Sequence, residues 1–131
     1  MNMKIRSLIT LGAACVLGLF LSGCAAVVIG GAAGVGTYAY IRGELKTAEN
    51  ATLDRAWSAS QAAMEDLQFK ITTRQKDAIE GLLIARTAAD KKIEINLKKL
   101  SDSTTEIRIR VGTFGDEDLS RLIIQKIEKR L

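Results

Sequence analysis

Lys92-Ile93-Glu94-Ile95-Asn96-Leu97-Lys98 and Glu106-Ile107-Arg108-Ile109-Arg110-Val111 decide the fold. In both stretches an apolar residue alternates with a charged or amide one, and successive side chains of a β-strand point to opposite faces. Each stretch therefore reads as a strand with Ile93, Ile95, Leu97 or Ile107, Ile109, Val111 against a core. Lys92, Glu94, Asn96, Lys98 and Glu106, Arg108, Arg110 then stand on a wet face. With the strands extended to residues 92–100 and 104–111, only Ser101-Asp102-Ser103 separates them, too short a link for a crossover, so the strands run antiparallel.

Working outward, residues 69–75, 81–88, 92–100 and 104–111 have the length and alternation of strands, with turns at Asp77-Ala78 and Ala89-Asp90. Such links make a meander the economical topology. Upstream, Thr52 reads as the N-cap of a helix reaching Leu67, with Leu53, Trp57, Ser60, Met64 and Leu67 on one face and Trp57 as a core anchor. Before it, Thr37, Ala39 and Ile41 alternate with Tyr38, Tyr40 and Arg42, predicting one strand that continues unevenly through Leu45 and Thr47, with Gly43 as a bulge. Downstream, Asp116 caps a helix over residues 117–130. Glu117 and Asp118 lie in its first turn, Lys126, Lys129 and Arg130 in its last, and Leu119, Leu122, Ile123 and Ile127 form its apolar stripe. The expectation is an α+β two-layer sandwich over residues 37–131. Its antiparallel meander sheet has about four to five strands, and two amphipathic helices cover one face, enough to bury a core.

Charge divides the chain. After Lys4 and Arg6 no charged side chain occurs until Arg42, and the remainder holds 17 basic against 15 acidic residues, so the basic balance argues little for nucleic acid. Histidine is absent, and the only cysteines are Cys15 and Cys24. These absences exclude a histidine base, a Cys/His zinc site and a disulfide within the downstream domain.

Residues 1–6 form a short positive region and residues 7–21 an apolar one of secretory-signal length. Leu21-Ser22-Gly23-Cys24 then resembles the lipobox of bacterial lipoproteins. The resemblance implies cleavage between Gly23 and Cys24, removal of a signal peptide over residues 1–23, and lipidation of Cys24 with diacylglycerol on sulfur and a fatty acyl chain such as palmitate on nitrogen. A thiolate suits that alkylation better than a hydroxyl does at neutral pH. The competing reading is an uncleaved membrane helix that happens to contain cysteine. Two or three acyl chains would anchor the chain stably without a spanning helix. Ala25, rather than aspartate, after the cysteine favours the outer membrane by analogy with enterobacterial sorting, with the domain facing the periplasm.

Residues 24–36 form a Gly/Ala-rich tether, a poor soluble helix because each glycine costs about 1 kcal/mol relative to alanine. Gly30 and Gly34 also make G-x-x-x-G, a pattern that lets helices pack closely in lipid, so self-association into an envelope scaffold is the alternative to a plain tether.

Tyr40-Ile41-Arg42-Gly43-Glu44-Leu45, Asp54-Arg55-Ala56-Trp57, Gly81-Leu82-Leu83-Ile84-Ala85-Arg86 and Arg110-Val111-Gly112-Thr113-Phe114-Gly115-Asp116-Glu117, in this order after a lipobox, resemble a family of small bacterial lipoproteins of unknown function. The resemblance implies a shared α+β fold and an envelope location, and supplies no catalytic residues.

The remaining site signals are few. Gly112-Thr113-Phe114-Gly115 precedes a helix N-terminus, where backbone N–H groups can hold an anion. Asp116, Glu117 and Asp118 place negative charge there, so a tight turn with an acidic cap is the stronger reading. Lys92, Lys98, Arg108 and Arg110, interleaved with Glu94 and Glu106, are either ordinary cross-strand pairs or a surface for an anionic envelope protein or cell-wall component. No nucleophile elbow, phosphate loop or metal constellation is present in the sequence, which favours a non-catalytic module without cofactors. A small hydrolase using Asp116 or Glu117 is the rival reading.

Overall fold

The computed structural model describes residues 37–131. The signal region, Gly23, Cys24 and the Gly-rich tether lie outside the described residues. The elements are β1 (Ala39–Ile41), β2 (Glu44–Glu49), α1 (Leu53–Asp66), β3 (Lys70–Lys76), β4 (Glu80–Arg86), β5 (Lys92–Lys99), β6 (Thr105–Val111) and α2 (Glu117–Glu128). The fold is α+β, an open six-stranded antiparallel sheet in the order β1-β2-β6-β5-β4-β3 with two helices.

Two expectations about the sheet are corrected. The single strand predicted around Gly43 is a hairpin of two strands. Arg42 and Gly43 both adopt left-handed backbone, with φ of 53° and 80°, which is how a two-residue turn reverses a twisted strand pair, and Ile41 faces Glu44 across it. This raises the strand count from the expected four to five to six. The irregularity lies elsewhere, in β3, where the register with β4 shifts between Ile71 and Thr73. A meander accounts only for β3 through β6. The last strand of that run, β6, pairs on its far side with β2, and α1 carries the chain from β2 to β3 at the opposite edge.

Alternation along the central strands holds as read. Ile93, Ile95, Leu97, Ile107, Ile109 and Val111 are buried, and they form one core with Leu45, Leu83 and residues of both helices. The helices therefore cover the same sheet face and pack on each other.

Both helix caps stand where the sequence places them. The Thr52 hydroxyl accepts from the Arg55 amide at 3.2 Å, and an Asp116 carboxylate oxygen accepts from the Leu119 amide at 3.0 Å. Their buried faces differ from the predicted stripes. In α1, Ala56, Ala59 and Ala63 are buried beside Leu53, Ser60 and Met64, so small side chains set the closest approach. Trp57, expected as a core anchor, is half-buried and packs against the core, and its indole lies over Gly81. A Cβ at Gly81 would come within 2.9 Å of Trp57 Cε3. In α2 the buried residues are Ser120, Ile123, Ile124 and Ile127, which fall on an arc of about 100°. Leu122 lies outside that arc and is 41% exposed. Ser120 can face inward because its hydroxyl donates to the Asp116 carbonyl at 2.7 Å.

Candidate functional site

With both helices on one side, the other face of the sheet is left open. The register places residues on that face in rows across the strands. Glu44, Arg110, Glu94, Ile84 and Thr73 stand opposite one another in one row, and Lys46, Arg108, Asn96, Leu82 and Gln75 in the next. Lys92, Lys98, Arg108 and Arg110, expected on a common wet face, are all on it. Seven cations and four carboxylates project from its strands, adding Lys46, Lys70, Arg86, Glu44 and Glu80 to those read from β5 and β6.

The four candidates do not form one cluster. Lys92 and Arg110 line a hollow of about 440 Å³ with Arg86, Lys91 and Gly112. Cations there have carboxylate partners. Lys92 meets Glu94 at 2.9 Å, Lys91 meets Asp116 at 3.0 Å, Arg86 meets Asp90 at 3.5 Å and Arg110 meets Glu44 at 3.9 Å. The Glu94 carboxyl is held below its ordinary range by the hydrogen bond from Lys92 and then by that from Asn96. Arg108 lines a separate groove of about 470 Å³ with Gln75, Asp77, Glu80, Leu82 and Asn96. Its Nε is 3.4 Å from Glu106 Oε1, while Glu106 Oε2 is shared with Lys46 at 3.2 Å. Among the described residues, Arg108 Nε is the one buried side-chain nitrogen or oxygen without a hydrogen bond. Lys98 stands opposite both Glu80 and Glu106 and, among the described residues, has no carboxylate within ion-pair distance.

The loop before α2 is a tight turn with an acidic cap. Gly112 and Gly115 have left-handed backbone, and a Cβ at Gly115 would strike Gly43 and the Tyr40 hydroxyl, so this loop and the β1–β2 hairpin meet backbone to backbone. Asp116 caps the helix and pairs with Lys91, and its carboxyl is held low first by the Leu119 amide and then by Lys91. Glu117 pairs with Arg121 at 2.7 Å. Both carboxylates named for a hydrolase are thus tied into local structure.

A second polar cluster, absent from the sequence reading, sits between β2 and α2. Glu49 is 4% exposed and accepts from the Thr47 hydroxyl at 3.0 Å. Burial pushes its carboxyl up, the Thr47 hydrogen bond opposes this, and the Glu128 charge adds to it. The Tyr38 hydroxyl donates to both carboxylate oxygens of Glu128 at 2.7 and 2.8 Å, and burial together with Glu128 pushes it up to about 12. The alternation Leu45, Thr47, Glu49 was the available signal, because it puts Glu49 on the core side.

Among the described residues no group of three or more His, Cys, Asp or Glu is arranged to hold a metal, and no helix is long and apolar enough to cross a membrane. No match to the chain is found among curated proteins. The family described as Protein of unknown function (DUF3568) matches residues 5–130, nearly the whole chain, and the protein belongs to that family.

Proposed function

We propose that the protein is a lipid-anchored, non-catalytic interaction module of the bacterial cell envelope that presents the open face of its sheet to a partner. The observation that carries the partner surface is the unequal treatment of the two faces. Both helices cover one, while the other keeps an excess of cations, including Arg108, which shares Glu106 with Lys46, and Lys98, which has no ion pair among the described residues. Strands whose outward charges served only solubility would pair them off as Lys92 and Glu94 do. Photocrosslinkers placed at Arg108 and Lys98 in cells should capture an envelope protein or cell-wall component; recovery of no adduct from either position would sink the reading.

Anchoring rests on the residues around Cys24 and on the acyl-chain arithmetic, with the outer membrane favoured by Ala25. Cys24→Ser should leave an uncleaved precursor that takes up no fatty-acid label. Normal processing and labelling of that variant would remove the anchor. G-x-x-x-G at Gly30 and Gly34 favours a second reading, a self-associating envelope scaffold, under which replacing residues 25–36 with a polar linker would abolish oligomers.

A further inference from the structure

Lys46, Arg108, Asn96, Leu82 and Gln75 stand directly opposite one another across five strands, and that row contains no carboxylate. In the neighbouring row, by contrast, Arg110 has Glu44 on one side and Glu94 on the other. Arg108 shares the Glu106 carboxylate with Lys46, its Nε lying 3.4 Å from Oε1 without a hydrogen bond, so one carboxylate serves two cations where Arg108 lines the groove. Asn96 gives an amide hydrogen to Glu94 at 3.1 Å and keeps its carbonyl oxygen to accept from a ligand. Leu82 is half-buried and supplies an apolar floor, while Asp77 and Glu80 make the far end of the groove acidic because Lys76, which also lines it, is drawn to Asp54 at 2.6 Å.

The groove is therefore polarised, with a cation at β6 and carboxylates at the β3–β4 turn. Neighbouring strands are about 4.8 Å apart, so Arg108 and Leu82 are separated by about 10 Å across the strands. Leu82 and Glu80, two residues apart on β4, are separated by about 7 Å along the strand, which puts Arg108 and Glu80 about 12 Å apart on the diagonal, the span of four residues of extended chain, whose alternate side chains share one face. We infer that the groove binds an extended peptide segment of a partner protein, an inference that rests on reading the chain as an interaction module. In that segment a carboxylate residue meets Arg108, an apolar residue two positions along meets Leu82, and a cationic residue two positions further meets Asp77 and Glu80. No aromatic side chain stands on the strands of this face to stack on a sugar ring, and the acidic end opposes an anionic lipid headgroup.

The probe is a fluorescein-labelled Glu-x-Leu-x-Lys heptapeptide with Gly and Ser fillers, together with its reversed-order twin, titrated by anisotropy against the detergent-solubilised full chain. One of the two orders should bind. Arg108→Gln should weaken it about tenfold or more, the loss of a charge-assisted fork. Asn96→Asp, which puts a carboxylate into the row, should weaken it comparably. Arg121→Gln, on α2 in the helix layer, should leave affinity unchanged, and thermal melts identify any variant that has unfolded. Equal binding by folded Arg108→Gln and Asn96→Asp proteins overturns the assignment, as does equal binding of a probe with Glu replaced by Gln. Stronger retention on phosphatidylglycerol vesicles than on either peptide also overturns it. A partner crosslinked from Lys98 that is indifferent to Arg108→Gln would retire the groove while keeping the module, whereas no crosslink and no probe binding retires both.

Discussion

Ile109 and Arg110 are adjacent in the chain and lie on opposite faces of β6, and the two faces are held in different ways. Ile109 is fully buried in a core that joins the central strands to both helices. Arg110 reaches Glu44 only at 3.9 Å, with its side chain 38% exposed. A packed interior converts volume into stability, because removed methylenes leave space that neighbours fill incompletely. A wet sheet face converts little, because an exposed ion pair exchanges hydration for a screened attraction. Change on the open face is therefore inexpensive for folding, so that face is free to meet the demands of binding.

The sharpest way to break this contrast is to substitute the two neighbours separately. Ile109→Ala should cost roughly 2–5 kcal/mol in urea unfolding. Next in size is Gly81→Ala, where the new methyl group displaces the indole of Trp57, the chain's single tryptophan. A loss of about 1–3 kcal/mol with a shifted emission maximum is expected, and unchanged emission would mean that the helix, rather than the ring, yields.

Glu49 probes the one carboxylate on the buried face. Its carboxyl is raised by burial, so the folded state holds its proton more tightly than the unfolded chain does. The penalty is absent below the unfolded pKa and develops as pH rises through the higher folded one. Glu49→Gln should therefore stabilise the protein at pH 7 by on the order of 1 kcal/mol, the scale of burying a polar group, and by much less at pH 3. A gain of equal size at both pH values would contradict it. The smallest effect belongs to Arg110→Ala, within about 1 kcal/mol and shrinking further in 1 M salt. A cost approaching that of Ile109→Ala would erase the distinction between the faces.

Strict alternation made β5, β6 and the core they share readable from the residues, and Thr52 and Asp116 marked both helix starts because their side chains cap backbone N–H groups. The Arg42-Gly43 turn was missed because arginine carries no preference for the left-handed backbone it adopts there. The buried face of α2 was misread because Leu122 outranks Ser120 in hydrophobicity, whereas Ser120 is satisfied by the Asp116 carbonyl and turns the helix toward Ile124. For the site, the four cations were legible as types on one face. That Lys92 and Arg110 share one hollow while Arg108 lines another needed the registers of β2 and β4, set by pairings between residues far apart in the chain.

The Tyr38–Glu128 hydrogen bonds have a mechanical consequence. β1 is only three residues long, and its start lies at the open end of the β1–β2 hairpin, so tension from the N-terminal side would unzip its ladder one bond at a time. Tyr38 lies just ahead of that ladder and is fastened to the final helix. A pull on the chain must first detach the phenol from Glu128, which passes the load to α2 and the core before β1 begins to peel.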